Sequence, residues 1–469
     1  MHAADVSRDV GIRTGVSGFL KGVSALDPKV FFLVISLLGG AAYIVVTPPF
    51  RVPDEPAHFF RAYSVSLGSF NAPVVDGAPG AHLPSSLKRL ERIFIVGPPS
   101  HPDPKLRPGM WSAARAVELE PEATELIRFP KSLQYSAIPY LPQAAGITLG
   151  RWFGGSPLTL LFCARIANLV VATGLIFLCV AQLPAYRWFA VLVALTPMAM
   201  SLRSSVSADA PTMAIAFLFT AVVTRIAFVK TSNHGSRDLG LVAVLACALC
   251  LTKPVYFPLV LRCLAIPPRR LGTLGRGLLV PMILAASIIA VVIGIAIVLP
   301  SAGSVTYRIG PRLAELAARP LHFPASAVAD YVVHAPRYGA HFIGRLGWLD
   351  TPLPPALIIA YALFLMAYAV IDSDASTTIE WWQRLVLAAA VVASLFAISA
   401  AFYVIVGRIE GIQGRYFHPL ALAAVWPFHN RLTAGLTERV WLRPMGAILL
   451  TLSSLLVSWW TVLQQYYGA

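Results

Sequence analysis

The stretch that decides the fold runs from residue 30 to residue 58, VFFLVISLLGGAAYIVVT followed by PPFRVPDEPAH. The run from Val30 to Thr47 is almost entirely apolar and near the length of about 20 residues that crosses a bilayer as a helix. No small-residue cleavage pattern follows it, so we expect a retained anchor. Basic residues precede it and predict a cytoplasmic N-terminus: Arg8, Arg13, Lys21 and Lys29. The polar segment 53–58 is therefore expected on the extracytoplasmic side.

The overall composition gives the same fold class. Hydrophobic residues make up 57% of the 469 residues and charged residues 13%, with a mean hydropathy of +0.70. One water-soluble core could not hide that much apolar surface, so we predict an all-α integral membrane protein. The net charge of +15 comes from basic residues in the loops. The positive-inside rule and anionic lipids account for it, and no nucleic acid partner is expected.

The five cysteines all lie in or beside apolar runs, so we expect no disulfide in the loops. Cys247 and Cys250 form a C-x-x-C pattern inside one such run. A second pair of metal ligands does not lie nearby, and free cysteine is most often simply buried. The pattern therefore predicts packing rather than metal binding or redox chemistry.

Further apolar runs bring the predicted number of spanning helices to about eleven. The ten that follow the first are Leu158 to Leu183, Trp188 to Leu202, Ala210 to Phe228, Leu241 to Leu251, Tyr256 to Ile266, Leu278 to Leu299, Ala356 to Ile371, Leu385 to Val406, Tyr416 to Trp426 and Met445 to Leu463. The chain then divides into a cytoplasmic N-terminus (1–29), the first helix (30–47), an extracytoplasmic loop with surface helices (48–156), a transmembrane bundle (157–299), a second extracytoplasmic loop (300–355) and C-terminal transmembrane helices (356–469).

One short apolar segment fixes the orientation of all the later helices. Tyr135 to Leu149 is broken by Pro139 and Pro142, so it is expected to lie on the membrane surface. With that choice the basic loops fall on the cytoplasmic side, as the positive-inside rule requires: Arg187, Lys230, Arg237, Arg269, Arg270, Arg276, Arg384, Arg431, Arg439 and Arg443. The two short spans around Lys253-Pro254 are expected to form a hairpin whose turn reaches the outer face or a wet cavity.

Asp54, Glu55 and His58 directly follow the first span and are the first candidates for chemistry. If a helical turn starts here, Asp54 and His58 share one face at i, i+4 spacing. A partly desolvated carboxylate can act as a general base, and the three side chains could instead ligate a divalent metal. The alternative is a solvated helix cap, because acidic residues favour helix starts.

Arg408, Gln413 and Arg415 lie in a loop with three glycines at the outer end of two predicted helices. Arginine suits bidentate recognition of phosphate, and glycine lets backbone N–H groups approach an anion. Lys253 could add a point charge to the same anion. The alternatives are a snorkelling arginine and a lysine that only caps a hairpin turn. Asp209, a predicted helix cap, and Asp350 are supporting candidates at the same depth.

Three motifs resemble those of a large family of bacterial membrane proteins. They are Pro-Asp-Glu-Pro-Ala-His at 53–58, Gly-Trp-Leu-Asp-Thr-Pro-Leu-Pro at 347–354 and Gly-Ile-Gln-Gly-Arg-Tyr at 411–416. Their order matches as well, together with Ser-Ala-Asp-Ala at 207–210 and Lys-Pro-Val-Tyr at 253–256. The resemblance covers about residues 30 to 430.

That family looks like a branch of the GT-C glycosyltransferases, which take a sugar from a polyprenyl-phosphate carrier outside the membrane. The resemblance implies catalysis by Asp54 and Glu55, with Asp54 as the base, and donor phosphate binding by Arg415 with Arg408, Lys253 and Gln413. It also implies a lipid or envelope glycan as acceptor and a location in the bacterial inner membrane. A second acidic motif is not evident in a later loop, so a divalent metal on Asp54, Glu55 and His58 stays open.

Two other classes of protein fit the same pattern. A transporter or flippase of lipid-linked substrates also needs many helices and buried charges, although its charges usually lie near the membrane midplane. A polymer ligase or assembly partner would bind polyprenyl-linked glycans without transferring a monosaccharide. The transferase hypothesis requires Asp54, Lys253 and Arg415 to meet around one outward-facing site.

Overall fold

The computed structural model describes residues 25–71, 73–95, 105–133, 135–229, 236–271, 279–302, 309–374, 376–431 and 442–468. Helix α1 (Pro28–Val46) matches the first predicted span. The side chain of Asp27 caps it by accepting a hydrogen bond from the backbone N–H of Lys29 at 3.1 Å. Pro48 and Pro49 end α1, and the chain turns sharply into α2 (Glu55–Ser66).

The segment 48–156, which the sequence predicts to be an extracytoplasmic loop, folds around a core of its own. It contains β1 (Val74–Val75), β2 (Ala78–Pro84), α3 (Ser85–Phe94), α4 (Met110–Arg115), β3 (Thr124–Arg128) and α5 (Pro130–Leu133). The strands form an antiparallel sheet in the order β1-β2-β3. Leu87, Leu90 and Phe94 recur at helical spacing on one face of α3 and are fully buried against this core. The all-α prediction therefore missed a small sheet.

The segment predicted to lie on the membrane surface forms a 3₁₀ turn (Ile138–Tyr140) and then α6 (Leu141–Trp152). Helix α6 packs tightly against α7 (Pro157–Gln182). A Cβ atom at Gly146 would lie 2.4 Å from the carbonyl oxygen of Cys163, so only glycine allows this approach. The prediction of a helix in this segment is confirmed, and its orientation relative to the bilayer stays a prediction.

Prolines break two of the predicted spans. Trp188 to Leu202 is two helices, α8 (Arg187–Ala194) and α9 (Pro197–Arg203), because Pro197 cannot donate the hydrogen bond that would continue α8. The side chain of Thr196 instead caps α9 by accepting from the N–H of Ala199 at 3.3 Å. The long helix α10 (Asp209–Phe228) follows and is almost wholly enclosed by its neighbours, which makes it the centre of the bundle.

The predicted hairpin around Lys253 consists of α11 (Ser236–Thr252) and a 3₁₀ segment (Pro254–Ala265), which pack together. The remaining elements are α12 (Leu279–Ala302), α13 (Ile309–Ala318), α14 (His322–Gly344), β4 (Arg345–Leu346), β5 (Thr351–Pro352), α15 (Pro355–Ile371), α16 (Trp381–Val406), the 3₁₀ turn Gly414–Phe417, α17 (His418–Val425) and α18 (Leu442–Tyr467). The predicted span Tyr416 to Trp426 is thus only a short helix between two 3₁₀ turns, the second at Trp426–Phe428.

Five helices within the described ranges are long and apolar enough to cross a membrane: α1, α7, α10, α16 and α18. Shorter apolar helices lie at Pro254–Ala265, Pro281–Ile293 and Pro355–Ile371. The chain is therefore a mostly helical membrane protein, whereas the total of about eleven spans stays a prediction. All five cysteines are free thiols, as predicted.

Candidate functional site

Asp54 sits at the sharp corner between α1 and α2 in an unusual backbone conformation. Its φ is +61°, in the left-handed region that residues other than glycine rarely adopt. Its side chain makes no hydrogen bond to the start of α2, so Asp54 is not the solvated helix cap considered as an alternative. Strain of this kind, costing on the order of 1 to 3 kcal/mol, tends to persist at functional sites. Here it points the carboxylate away from α2.

Glu55, the next residue, points elsewhere and is fully buried against Arg165 of α7. The two carboxylate oxygens accept from Arg165 Nε at 2.8 Å and Nη2 at 2.7 Å. They also accept from the backbone N–H groups of Phe50 at 2.9 Å and Val206 at 3.0 Å. Arg165 in turn donates to carbonyl oxygens at the end of α1. Glu55 therefore joins α1, α2 and α7, and its surroundings are those of a structural residue rather than the predicted catalytic one.

Five charged side chains from distant parts of the sequence form one alternating chain of opposite charges, which we call the ion chain: Lys131, Asp54, Arg415, Asp209 and Lys253. Lys131 Nζ lies 3.0 Å from Asp54 Oδ1, and Arg415 Nη2 lies 3.1 Å from Asp54 Oδ2. Arg415 Nε lies 3.5 Å from Asp209 Oδ2, and Asp209 Oδ1 pairs with Lys253. The structure thus brings Asp54, Asp209, Lys253 and Arg415 together.

The ion chain runs from solvent into the protein. The side chain of Lys131 is 63% exposed and that of Asp54 21%, whereas those of Arg415, Asp209 and Lys253 are between 4% and 10% exposed. Three cations face two carboxylates, so the group carries one excess positive charge. Buried charges are normally neutralised by a partner because removing them from water is costly. Arg415, Asp209 and Lys253, the three most buried members, sum to one positive charge and share Asp54 with the exposed Lys131, which favours an anionic ligand beside them.

Aromatic rings enclose the inner end of the ion chain. Lys253 Nζ lies 4.6 Å from the centre of the Tyr135 ring and 5.3 Å from that of Tyr416, distances at which a cation is attracted to the ring face. His58 stacks on Tyr135 and shares a 2.7 Å hydrogen bond between Nδ1 and the hydroxyl of Tyr140. These rings exclude water and so strengthen the charge interactions inside.

Asp54 and His58 have strongly shifted pKa values. Burial by itself raises the pKa of Asp54, but the charges of Arg415 and Lys131 outweigh it and hold that pKa at about 2. Burial lowers the pKa of His58 to about 4, although Asp54 and Asp209 oppose this shift. At neutral pH the site therefore contains an ionised Asp54 and an uncharged His58.

The buried, uncharged His58 predicts a pH-dependent stability. Between its unfolded pKa of about 6.5 and its folded pKa of about 4, the unfolded chain binds a proton that the folded chain does not. The folded state then loses up to about 3 kcal/mol as the pH falls through this window. Glutamine at this position can still form a hydrogen bond with Tyr140 but does not titrate. We therefore expect the melting temperature of His58→Gln to fall less than that of the wild type between pH 7 and pH 4.5. Equal losses in the two proteins would contradict the prediction.

Buried polar atoms without a hydrogen-bond partner among the described residues mark the meeting point of α14 and the 3₁₀ turn 414–417: His341 Nδ1, Gln413 Oε1 and Arg415 Nη1. The two elements touch directly, since a Cβ atom at Gly414 would lie 2.1 Å from the carbonyl oxygen of Tyr338. Burial, with the charges of Arg345, Arg337 and Arg415, lowers the pKa of His341 to about 4. Buried polar groups are normally satisfied, so these atoms are suited to a ligand.

Two candidates lie away from this site. Arg408 is on the surface, with its side chain 69% exposed and paired to Glu410 at 2.8 Å. Asp350 is exposed and accepts from the hydroxyl of its neighbour Thr351 at 3.0 Å. Asp54, Glu55 and His58, which were considered as metal ligands, point to different partners. Glu55 pairs with Arg165, and His58 shares a hydrogen bond with Tyr140. Among the described residues no group of three side chains is arranged to hold a metal ion.

Lys131, Tyr135, Tyr140 and His341 belong to the site but were not predicted. Lys131 follows β3 in a polar segment, and no pattern of spacing distinguishes it there. Tyr135 lies at the start of the segment read as a surface helix, where an aromatic residue is expected at the interface in any case. His341 lies within the segment predicted to be the second extracytoplasmic loop, at one-turn spacing from Tyr338. The helical spacing of His341 and Tyr338 was the one feature of the sequence that could have drawn attention to His341. It could not show which element α14 would contact.

The comparison with known protein families covers the whole of this site. The family model described as a predicted membrane protein, DUF2142, matches residues 37–424. That range contains the five members of the ion chain and α1 to α16 in large part. No curated protein shows a significant match. The chain therefore belongs to the DUF2142 family of predicted membrane proteins.

Proposed function

We propose that this protein is a membrane glycosyltransferase of GT-C type. It transfers a sugar from a polyprenyl-phosphate donor to a lipid or glycan acceptor of the cell envelope, on the extracytoplasmic side of the bacterial inner membrane. The observation that carries the proposal is the buried Arg415 between the carboxylates of Asp54 and Asp209, in an ion chain that has one more cation than carboxylates.

The charge of the proposed donor matches that of the site. A sugar linked to a polyprenol through one phosphate is a phosphodiester with a single negative charge, and the ion chain carries one excess positive charge. Arginine recognises phosphate oxygens through its planar fork of N–H groups. Arg415 is 4% exposed and its Nη1 has no partner among the described residues, so it supports phosphate binding best.

His341 completes this phosphate position, because an uncharged imidazole can donate its Nδ1–H to a phosphate oxygen. The unpaired oxygen of Gln413 only accepts hydrogen bonds, so it suits a hydroxyl of the donor sugar rather than the phosphate. Lys253 shares Asp209 with Arg415 and so lies next to this position. Arg408 is left out of the proposal, because its exposed side chain is paired with Glu410 at the surface.

In the proposed reaction Asp54 is the base, and the neighbouring cations stabilise the leaving phosphate. The acceptor hydroxyl gives its proton to the Asp54 carboxylate and forms a bond to C1 of the donor sugar. The C1–O bond to phosphate breaks through an oxocarbenium-like state, and its electron pair leaves with the polyprenyl phosphate. Arg415 and Lys253 stabilise the charge that develops on the departing phosphate. Such electrostatic stabilisation in a site shielded from water is usually the largest contribution to catalysis.

The total charge of the site stays constant during this step. Before transfer the ion chain contributes +1 and the phosphodiester −1. After transfer Asp54 is protonated, so the chain contributes +2, and the phosphate monoester product carries −2. The second negative charge of the product phosphate thus develops beside a second positive charge of the ion chain, and their attraction stabilises it.

The donor also makes Asp54 a better base. In the free protein Arg415 and Lys131 hold its pKa at about 2, which makes the carboxylate a weak proton acceptor. A phosphate that takes hydrogen bonds from Arg415 screens that charge from Asp54 and adds a negative charge nearby. Both effects raise the pKa of Asp54 towards the range in which it can accept a proton.

A divalent metal is not part of the proposal. Each carboxylate of the ion chain is already paired with cations on both sides, so Asp54 and Asp209 offer no free pair of oxygens to a metal. Glu55 is engaged with Arg165 and two backbone N–H groups. The donor set therefore does not fit a metal centre, and the cationic side chains take the role of charge stabilisation.

A transfer assay separates the proposed function from its competitors. The purified chain in liposomes receives a polyprenyl-phosphate sugar with a radiolabelled sugar, together with an envelope glycan extract. A transferase moves the label from the lipid to the glycan. A flippase moves intact labelled donor across the bilayer, and an assembly partner does neither; each of these two results would overturn the proposal.

Arg415→Gln provides a direct test of the phosphate position. The change removes the excess charge of the ion chain, while Asp54 and Asp209 each keep a lysine partner, so folding is expected. Loss of a charged hydrogen bond worth about 1.5 to 3 kcal/mol predicts 10- to 100-fold weaker binding of polyprenyl phosphate. Arg408→Gln, at the exposed surface, is the matched control and should bind normally. Equal affinity of the two variants would place the phosphate elsewhere.

A further inference from the structure

A cleft of about 240 Å³ opens on the solvent side of Asp54. It lies between α2, α3 and the segment 128–131, and Trp348 from the β4–β5 turn forms another wall. The aromatic rings of Phe60, Phe129 and Trp348 line it. Trp348 is held in place because its indole N–H donates to the carbonyl oxygen of Phe50 at 2.9 Å.

Asp54 connects this cleft to the buried end of the ion chain. Its Oδ1 faces Lys131, which also lines the cleft, whereas its Oδ2 faces Arg415 in the interior. One carboxylate thus has an oxygen on each side. A reactant in the cleft and an anion at Arg415 would both contact the same side chain.

Four of the five charged side chains that line the cleft form ion pairs, and the fifth, Arg128, donates to the carbonyl oxygen of Val75 at 2.6 Å. Lys88 forms an ion pair with Glu91, and Lys131 with Asp54. Each lysine also lies 5.7 Å from the centre of an aromatic ring, Lys88 over Phe60 and Lys131 over Trp348. A ligand that enters therefore meets fixed polar groups beside aromatic faces. Neutral hydroxyl groups can form hydrogen bonds with these side chains, and at Asp54 Oδ1 a hydroxyl can take the place of Lys131.

We propose that this cleft binds a neutral saccharide ring and is the acceptor subsite of the enzyme. The inference rests on the proposed function, since it places the acceptor hydroxyl at Asp54 Oδ1 and the donor phosphate at Arg415. The volume is below the roughly 300 to 1,000 Å³ of sites for drug-sized ligands, which suits one sugar unit. Lys131, largely exposed, can swing aside as the hydroxyl approaches.

Saturation-transfer NMR on the full chain tests the subsite without any transfer reaction. The probe is methyl glucoside, compared with glucuronate, and the protein is held in lipid nanodiscs so that no glycosidic detergent competes. We expect a signal from methyl glucoside that falls at least fivefold in Trp348→Ala. Trp381→Ala is the matched control, because Trp381 is 73% exposed at the start of α16 and does not line the cleft.

Lys88→Gln is a second variant in case Trp348→Ala does not fold. The amide can still donate a hydrogen bond to Glu91, whose side chain is 14% exposed, but the cation is lost and the signal should fall at least twofold. Unchanged methyl glucoside signals in both variants would overturn the subsite, as would binding of glucuronate alone. Loss of transfer with saccharide binding intact would instead count against the proposed function, so the two failures are distinguishable.

Discussion

Asp54→Asn is expected to fold and to lose sugar transfer by a factor of about 10² to 10⁴, the range that general base catalysis contributes. The amide keeps the shape of the side chain but cannot take the proton of the acceptor. Folding is expected to survive because Arg415 keeps Asp209 as a partner and Lys131 is largely exposed. The ion chain then carries two excess positive charges, so the donor should bind at least as tightly as in the wild type.

This combination of lost turnover and retained donor affinity separates catalysis from binding. The measurements are the rate of label transfer to the glycan and the affinity for polyprenyl phosphate. Asp350→Asn is the matched control, because Asp350 is an exposed aspartate away from the ion chain and should transfer normally. Full transfer by Asp54→Asn would show that another group accepts the proton.

The sequence was sufficient to predict that Asp54, Asp209, Lys253 and Arg415 lie close together. Each lies at the end of an apolar run, and assigning those ends to the outer face puts them at one depth. Depth alone left their partners open. Arg415 and Arg408 lie in the same glycine-containing loop, yet one is enclosed against α14 and the other is exposed with Glu410. Packing of non-neighbouring elements decided between them.

The different roles of Asp54 and Glu55 could not be predicted from the sequence. The two carboxylates are adjacent, and their spacing to His58 predicted one shared site. The left-handed conformation of Asp54 directs its side chain towards Lys131 and Arg415, while Glu55 enters the helix and faces Arg165. A non-glycine residue with positive φ is held there by the surrounding fold, which no local pattern reports.

The small sheet between β1 and β3 was missed for a related reason. β2 and β3 contain two prolines and a glycine besides polar residues, and so do not alternate cleanly between apolar and polar positions. Their pairing brings Gly80 opposite Arg128, and a Cβ atom at Gly80 would lie 2.5 Å from the carbonyl oxygen of Ile127. This close approach positions the segment 128–131 and with it Lys131 beside Asp54.

Arg165→Met is expected to have the largest effect on folding. Arg165 and Glu55 are both fully buried, and the change leaves an unpaired carboxylate among the apolar side chains of α1 and α7. Removing one partner of a buried ion pair costs about 3 to 5 kcal/mol. The carbonyl oxygens of Thr47 and Pro48 lose their donors as well. Because α2 starts at Glu55, the position of Asp54 should be lost with the pair.

A double change separates the charge from the rest of the contact. Replacing both partners, Glu55→Leu with Arg165→Met, removes the unpaired charge and should recover part of the stability. Recovery is expected to be incomplete, because the N–H groups of Phe50 and Val206 lose their acceptor. Thermal melting of the purified proteins measures both effects, and Arg408→Met, which breaks an exposed pair, should melt like the wild type. If Arg165→Met also melted like the wild type, the structural role of the Glu55–Arg165 pair would be contradicted. Glu55 would then again be a candidate for catalysis.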